Sequence, residues 1–298
     1  MMKDQSSEAA KRAYPMRLIL LVAGLTSAAY YRKKSPKIVK ARPGPKTSIT
    51  DEQLLLEIRK EICEGLFLDE GCKKTWKRLR RRGIKASKGR VHRVMRDSNL
   101  LSVTRPKPER NVNEHTGSIK TEWPNRMWGT DGKKFYTLQD GWCWFFGVID
   151  HFNDEIIAWH ANQSGNRFDA MEPLRMAVMR TYGSLDQHVC KGIGLFLRSD
   201  HGSQYDSHDF QKELKFLGLN YSPAFVRSPQ CNGIIERFHR TLDEQVFDLQ
   251  VFESLEDARK TIGEFIGKYN QYWLIHRLGL NSPLEYREAH EERRGDAA

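Results

Sequence analysis

The sequence has 298 residues, 39% of them hydrophobic and 29% charged, with a formal net charge of +11. These proportions exclude a disordered or fibrous chain and allow one sizeable core and a smaller module, so we expect two folded units. The first 110 residues carry 28 Lys and Arg against 11 Asp and Glu, whereas the remainder is acidic. This basic block, interleaved with apolar residues, predicts a folded module that neutralises phosphates; the alternative is a solvated basic surface.

The N-terminal 47 residues contain an apolar run and a basic, proline-rich segment. Residues 17–25 begin with Arg17 and are otherwise apolar, and small residues follow at 27–29, so the run imitates a secretory signal. It is shorter than the roughly 20 residues that span a bilayer. We favour the alternative of a short helix pair followed by a linker at 35–47. We therefore expect a cytoplasmic protein without a membrane partner.

Three helices are predicted in the segment 48–103. Thr50 and Gln53 form a capping-box pattern at the start of the first helix, the second ends at Gly83, and Ser87 is the predicted N-cap of the third. Apolar residues recur at helical spacing in all three helices. The predicted buried stripes consist of Leu54, Leu55, Ile58 and Ile62, of Cys72, Trp76 and Leu79, and of Val91, Val94 and Met95.

The last two of these helices, joined by a tight glycine-containing turn, are typical of a helix-turn-helix. Four cations are predicted on the outer side of the third helix: Lys88, Arg90, Arg93 and Arg96. Residues 87–93 could then enter a major groove, so we predict a DNA-binding domain at 48–103. Because periodicity alone also fits any three-helix bundle, this prediction depends on the charge. The polar segment 104–120 is the predicted second linker.

Strands and helices alternate in the predicted domain at 121–288. Strands at 127–138, 141–149 and 156–161 predict an antiparallel meander, which a helix at 168–182 follows. The remaining predicted elements are a strand at 194–197, a helix lined by Phe210, Leu214 and Leu217, a strand at 219–224 and a final helix. The order β-β-β-α-β-α-β-α predicts an α/β fold with a mixed sheet, as expected of an RNase H-like core, before a polar tail at 289–298.

Three acidic residues occupy distinctive places in this order. Asp131 lies inside the first strand, Asp200 ends the fourth, and Glu236 lies on the final helix, with 35 residues between Asp200 and Glu236. Ligands bind at strand ends in open α/β sheets, so the three carboxylates can converge at one edge of the sheet. Any one of them alone is more simply a surface charge or a cap. The predicted buried face of the final helix consists of Ile235, Phe238, Leu242, Val246 and Leu249.

A cluster of three carboxylates repels itself unless cations occupy it. Oxygen ligands suit Mg²⁺ or Mn²⁺, and two such ions could clamp the attacking and leaving oxygens of a phosphodiester. The triad therefore predicts nuclease or strand-transfer chemistry. The five cysteines are scattered and contain no C-x-x-C pair, so we expect no disulfide framework or zinc knuckle and interpret them as buried small hydrophobic residues. They are Cys63, Cys72, Cys143, Cys190 and Cys231.

A set of short sequence motifs covers most of the chain. Besides the basic helix-turn-helix, they are Trp128-Gly-Thr-Asp131, Gly147-Val-Ile-Asp150, Ile156-Ile-Ala-Trp159, Arg198-Ser-Asp200-His-Gly-Ser-Gln-Tyr205, Ser228-Pro229, Asn232 with Glu236, Tyr269-Asn270, His276-Arg277-Leu-Gly279 and Ser282-Pro283-Leu-Glu-Tyr286. With these motifs the sequence resembles the D,D(35)E superfamily of transposases and retroviral-type integrases. Within that superfamily it is similar to the OrfB proteins of bacterial insertion sequences.

The resemblance implies an enzyme that binds the terminal inverted repeats of a mobile element, cuts the 3′ strand with a metal-activated water and joins the freed 3′-OH to target DNA. Asp131, Asp200 and Glu236 carry over as its catalytic and metal-binding carboxylates, and no covalent protein-DNA intermediate is implied. Asp150 matches a recurrent acid that we interpret as structural. The implied partners are double-stranded DNA, further copies of the chain on that DNA, and an upstream OrfA-type protein or fusion.

The sequence departs from the family pattern in two places. Family members usually carry Lys or Arg seven residues after the catalytic Glu, and here that residue is Asp243. Arg237 and Arg240 could supply the positive charge toward the DNA. The aromatic-Gly-x-Arg-Arg segment that is common near the second helix is replaced by residues 69–74. We expect the residues that bind the repeats to differ more than the fold.

Two other functions remain open at this stage. The first is a non-catalytic DNA-binding regulator derived from a transposase, against which the presence of all three carboxylates argues. The second is a generic RNase H-like ribonuclease, which the separate basic module disfavours.

Overall fold

The computed structural model describes residues 13–31, 48–102, 121–223 and 232–295. The predicted linkers at 35–47 and 104–120, together with Cys231, lie outside these residues. The chain forms two units, 1–47 and 48–298, and the predicted DNA-binding domain and catalytic core both belong to the second. The boundaries that we assigned inside the second unit stay predictions.

A pair of short helices forms the described part of the first unit. Helices α1 (Met16–Val22) and α2 (Ser27–Tyr31) are joined by a turn in which Gly24 has φ +63° and the Leu25 amide donates to the Leu20 carbonyl at 2.9 Å. The predicted helix pair is therefore present. Across the described residues, no helix is long and apolar enough to cross a membrane.

Three helices open the second unit at the predicted positions: α3 (Asp51–Cys63), α4 (Cys72–Arg81) and α5 (Lys88–Asp97). Thr50 and Gln53 form the predicted capping box, in which the Gln53 amide donates to Thr50 Oγ at 3.2 Å. Ser87 caps α5, and its hydroxyl accepts from the Arg90 amide at 3.2 Å. These side chains satisfy amides that the first turn of a helix leaves unpaired. Both predicted helix starts are confirmed.

The apolar stripes of these helices meet in a small core of their own. Its buried members are Leu54, Ile58, Leu79, Ala86, Val91, Val94 and Met95. Ile62 was wrongly predicted to be buried: it is 42% exposed because it lies in the last turn of α3. Trp76 is half-buried, and its indole donates to the Ala86 carbonyl at 2.9 Å. Gly83, with φ +85°, makes the turn into α5, where other residues would be strained.

Five strands form the mixed sheet of the catalytic core: β1 (Met127–Thr137), β2 (Gly141–Asp150), β3 (Ile156–Asn162), β4 (Phe196–Arg198) and β5 (Asn220–Tyr221). The first three pair antiparallel, β4 pairs parallel with β1, and β5 pairs parallel with β4. The strand order is β3-β2-β1-β4-β5. The predicted α/β fold with an RNase H-like mixed sheet is therefore confirmed. The last strand is shorter than the predicted 219–224, and residue 224 lies outside the described part.

Helices cover both faces of this sheet. On one face lie α6 (Arg167–Tyr182), the single-turn α7 (Ser203–Asp206) and α8 (His208–Leu217). Their apolar side chains pack on Trp128, Phe146 and Val148 of the sheet. On the other face lie α9 (Gly233–Leu242) and α10 (Leu255–Tyr272), which pack on Phe145 and Ile149. Alternation along the strands thus sends neighbouring side chains into two separate cores.

The end of α9 departs from the predicted pattern. Ile235, Phe238, Leu242 and Val246 are buried as predicted, but Leu249 is 53% exposed. The reason is that α9 ends at Leu242 and continues as a π-helix over Asp243–Phe247, which changes the face that later residues occupy.

A 3₁₀ turn (His276–Leu278) and α11 (Pro283–Gly295) complete the chain. The predicted polar tail at 289–298 is helical as far as Gly295.

The cysteines behave in two ways. Cys143 and Cys190 are buried as predicted, and burial raises the pKa of both thiols, that of Cys190 to about 11. Cys72 is half-buried. The prediction was wrong for Cys63, which is exposed near the end of α3 on the solvent side of the helix.

Asp150 is completely buried at the end of β2, where it organises a turn. Its carboxylate accepts hydrogen bonds from the amides of Asn125 at 2.9 Å and Phe152 at 3.0 Å. Arg287 on α11 pairs with it at 3.0 Å and with Glu155 at 2.9 Å. Burial nevertheless raises the pKa of Asp150 to about 6, against the lowering effect of these partners. Asp150 therefore joins β2 to α11, which supports the structural interpretation.

We predict that Asp150→Asn changes how stability depends on pH. The pKa of Asp150 is raised from 3.8 to about 6 in the fold, so its protonated form stabilises the folded state at low pH. That contribution is lost as the pH rises through about 6. The unfolding free energy of the wild type, relative to Asp150→Asn, should therefore fall by up to about 3 kcal/mol from about pH 4 to about pH 8.

Urea denaturation followed by circular dichroism measures this difference. The exposed Asp248 offers a control of equal charge, and Asp248→Asn should follow the wild type at every pH. A constant difference between wild type and Asp150→Asn across this range would contradict the prediction.

Candidate active site

Asp131 and Asp200 lie side by side on neighbouring parallel strands. The last residue pair between β1 and β4 is Gly129 with Arg198, and each carboxylate lies two residues beyond that pair. Burial, followed by the negative charge of Asp131, raises the pKa of the Asp200 carboxyl. The strand pairing therefore brings together two acids that the sequence separates by almost 70 residues.

Glu236 reaches the same place from α9. The helix starts beside β1, where the Asn232 side-chain amide donates to the Thr130 carbonyl at 3.4 Å. Glu236 lies in the first turn that follows, and its pKa is raised by burial and then by the charge of Asp131. Asp131 thus acts electrostatically on both other acids and is the centre of the group.

Local hydrogen bonds orient the two aspartates. The Gly132 amide donates to Asp131 Oδ1 at 2.8 Å, and the Gly202 amide donates to Asp200 Oδ1 at 3.1 Å. Each carboxylate therefore has one oxygen held by the backbone and one directed elsewhere.

Two neighbours of the acids were missed by the sequence analysis. His239 is buried against the ring of Phe145, and its Nδ1 lies 3.5 Å from Asp131 Oδ2. Its spacing of three residues from Glu236 on a helix was the available signal. Tyr205 is fully buried, and burial and the charge of Asp131 raise its pKa well above the ordinary value. The only signal for Tyr205 in the sequence was its position at the end of the motif that contains Asp200.

The donor set suits a divalent cation, although the side chains do not form a closed cage. Three carboxylates are oxygen donors of the kind that Mg²⁺ and Mn²⁺ prefer. Burial first, and then the negative charge of Asp131, raises the pKa values of Asp200 and Glu236, and a bound cation would favour their ionised forms. Within the described residues, no three His, Cys, Asp or Glu side chains stand close enough together to hold one metal ion. The assignment of metal ligands stays a prediction.

Asp243, which replaces the usual basic residue, is paired with a strand lysine. Lys133 on β1 lies 2.8 Å from its carboxylate. Arg237 and Arg240 are exposed on α9, and the charge of Arg240 lowers the pKa of Glu236, opposing the effect of burial. Positive charge is therefore present beside Glu236 at these two positions.

Two of the four cations on α5, the predicted recognition helix, form ion pairs with Asp51 of α3. Arg90 is not on the outer side: its side chain is 13% exposed, and it donates to Asp51 at 2.7 Å and to the Ile49 carbonyl at 2.6 Å. Arg93 also pairs with Asp51, at 2.8 Å. The sequence could not indicate this, because Asp51 lies about 40 residues earlier, at the start of α3. Arg96 is exposed beside Asp97.

A second set of cations in this module makes no ion pair with any described carboxylate. It includes Lys77, Arg80, Lys85 and Lys88. They come from α4, the turn after it and the first residue of α5. Apart from Lys88, none was predicted to bind DNA, because the sequence analysis considered the third helix alone.

Two family models match the chain within the second unit. The HTH-like domain matches residues 50–108, and the Integrase core domain matches residues 217–273. The second match includes Glu236 and all of α9.

Comparison with known proteins gives related results. The chain is 27% identical over 243 residues to the transposase InsD for insertion element IS2A/D/F/H/I/K of Escherichia coli, covering 79% of this chain and 78% of that protein. Similar solved structures include the catalytic core domain of HTLV-2 integrase in complex with magnesium (TM-score 0.42, 15% identity, 56% of this chain and 99% of that chain). The catalytic domain of the Mos1 mariner transposase is another (TM-score 0.40, 15% identity, 48% and 70%). The chain is thus similar to an insertion-element transposase, and separate segments of it match the Integrase core and HTH-like domain models.

We predict that Arg90→Ala mainly lowers stability. The substitution leaves Asp51 and the Ile49 carbonyl without a largely buried charged donor, which should cost about 2 to 3 kcal/mol of unfolding free energy. Arg96→Ala is the control, because an exposed pair with a neighbouring residue contributes at most about 1 kcal/mol. Chemical denaturation of the two variants compares them, and equal stabilities would show that the Arg90 contacts are unimportant.

Proposed function

We propose that this chain is a DNA transposase that binds the ends of a mobile element and carries out metal-dependent 3′-end cleavage and strand transfer. The observation that carries the proposal is the grouping of Asp131 within β1, Asp200 two residues after β4 and Glu236 in the first turn of α9. Similarity to an insertion-element transposase over 79% of the chain supports the same conclusion.

The three carboxylates would hold Mg²⁺ or Mn²⁺. The proposed reaction is compatible with two bound ions. Such cations activate an attacking oxygen and neutralise charge on the leaving oxygen. Asp131, whose charge acts on both other acids, would contribute the central carboxylate of the site. The backbone amides of Gly132 and Gly202 fix the Oδ1 atom of each aspartate, and the Oδ2 atom of Asp131, which would bind a cation, lies 3.5 Å from His239 Nδ1.

Two transfers of the same kind follow from this site. In the first, the oxygen of water bonds to phosphorus, the bond from phosphorus to the element's O3′ breaks, and a 3′-OH is released. In the second, that 3′ oxygen bonds to a phosphorus of the target DNA and expels a target O3′. No side-chain nucleophile is needed in either transfer, so no protein-DNA bond forms.

The basic module would hold the DNA through phosphates. Its unpaired cations Lys77, Arg80, Lys85 and Lys88 come from α4, the turn after it and the start of α5, and Arg237 and Arg240 lie beside Glu236 on α9. We further propose that copies of the chain assemble on paired DNA ends, that an upstream OrfA-type partner or fusion assists, and that the enzyme works on DNA in the bacterial cytoplasm.

We predict that Asp131→Asn abolishes nicking of the cognate element ends while binding to those ends is retained. The amide keeps the shape of the side chain but removes the charge at the centre of the triad, so cleavage should fall by at least about 1000-fold. Nicking of labelled ends in Mg²⁺ or Mn²⁺, beside an electrophoretic binding assay, measures both properties.

Asp140→Asn is the matched control on the same sheet, because Asp140 bonds to Thr137 and to the Leu255 amide, away from the triad. Unchanged cleavage by Asp131→Asn would remove the catalytic assignment. A wild-type protein that binds correct ends but never nicks them would instead favour the non-catalytic regulator. Hydrolysis of RNA-DNA hybrids without strand joining would favour a ribonuclease.

We predict that DNA affinity depends on the unpaired cations more than on Arg90. Lys85→Ala combined with Lys88→Ala removes two phosphate-binding charges, so the slope of log affinity against log salt should decrease by about 2. Arg90→Ala, whose charge is paired with Asp51, should leave this slope unchanged. Fluorescence anisotropy over a salt series tests this. A larger effect from Arg90→Ala would restore the original assignment.

A further inference from the structure

The loop between α3 and α4 inserts into the catalytic core. We call residues 64–71 the docking loop. Phe67 in this loop is 5% exposed and belongs to the hydrophobic core under α9 and α10, not to the core of the helical module. Its ring meets those of Phe265 and Trp273 edge to face, at centroid distances of 6.3 and 4.8 Å. The module thus contributes a side chain to the interior of the core.

The docking loop is also bonded to the continuation of the helix that carries Glu236. The Leu68 amide donates to the side-chain oxygen of Gln245 at 2.9 Å, and the Gln245 amide nitrogen donates to the Leu68 carbonyl at 3.0 Å. Gln245 lies in the π-helix that directly follows α9. Two reciprocal bonds therefore connect the module to the end of α9.

Charged side chains on one face of α4 complete this contact. Arg78 donates to Glu70 at 2.5 and 3.0 Å and to the Tyr272 carbonyl at 3.2 Å. Lys74 lies 3.6 Å from Glu70, and its ammonium is 3.0 Å from the centre of the Trp273 ring. Burial lowers the pKa of Lys74 to about 8. A cation–π contact of a buried ammonium stabilises the fold more than an exposed contact does, because little water competes for the charge.

The cations of α4 form two groups, one that contacts the catalytic core and one that makes no ion pair with a described carboxylate. Lys74, Arg78 and Arg81 recur at helical spacing, and each contacts the core, the last through Glu285 at 2.7 Å. Lys77 and Arg80 make no ion pair with a described carboxylate. The cations that hold the core are therefore different residues from those that remain for DNA.

We infer that the catalytic core carries a docking surface, formed by Gln245, Phe265 and Trp273, whose partner is the docking loop of this chain's own helical module. The module and α9 then move as one body. DNA held by the unpaired cations consequently keeps a fixed position relative to Glu236, a consequence that rests on the proposed function. The docking itself does not depend on that function.

Hydrogen exchange of the full-length protein, read by mass spectrometry, tests the docking. Phe67→Ala removes the inserted ring, a loss large enough to speed local opening by about 100-fold. We expect faster exchange both in the docking loop and at residues 243–249. Leu66→Ala is the matched control, because Leu66 is the exposed neighbour of Phe67, and it should leave both segments as in the wild type.

Glu70→Gln is the second variant, in case Phe67→Ala does not fold. It keeps the ring but leaves Arg78 and Lys74 without their nearest carboxylate, so exchange should quicken by about tenfold in the same two segments. Faster exchange confined to the docking loop in these variants would overturn the inference. Protection at 243–249 that disappears on dilution would also overturn it, since the loop would then come from a second copy.

Nicking assays on element ends test the fixed geometry separately. Phe67→Ala and Glu70→Gln should bind the ends with unchanged affinity but nick bound DNA at least about tenfold more slowly. Unchanged nicking with altered exchange would overturn the fixed geometry while leaving the docking surface in place. If the wild type itself does not nick, the proposed function fails, and the exchange results still decide whether the loop docks.

Discussion

The repulsion between like charges at the end of one parallel strand pair is the constraint around which the catalytic core is arranged. Pairing of β1 with β4 gives Asp131 and Asp200 the same height in the sheet, and α9 adds Glu236. Such a grouping destabilises the fold by itself, so the surrounding sheet and the two cores must hold it in place. Tolerance of an unfavourable charge arrangement is typical of a site selected for chemistry rather than for stability.

Some of the Lys and Arg residues in the N-terminal third form ion pairs within the protein, and others are available to bind DNA phosphates. Amino-acid composition does not distinguish the two groups. Arg90 and Arg78 are used within the protein, against Asp51 and Glu70, whereas Lys85 and Lys88 have no described carboxylate partner. The net charge determines the electrostatic field around the protein. The ion pairs within the structure show which Lys and Arg side chains are still available to bind phosphates. The helical module therefore contributes a side chain to the core, and its remaining cations are the ones that we propose for DNA binding.

Local rules sufficed for most of the fold, and long-range contacts account for what was missed. The caps at Thr50 and Ser87, and the order of strands and helices, follow from signals within a few residues. Spacing, motifs and resemblance also predicted that Asp131, Asp200 and Glu236 lie near one another, and their role as a catalytic triad stays a prediction. Burial of Arg90 depends on Asp51, and insertion of Phe67 depends on residues about 200 positions later. No pattern in one segment encodes such partners.

The π-helix after Leu242 affects how this chain can be compared with its relatives. The Asp248 amide donates to the Asp243 carbonyl, so one residue more than in an α-helix is accommodated in this turn. Beyond it, side chains point in a different direction from the one that an uninterrupted α-helix would give them. The exposure of Leu249 is one result of this offset. Comparison of this segment with similar proteins should therefore rest on three-dimensional superposition and not on counting α-helical turns from Glu236.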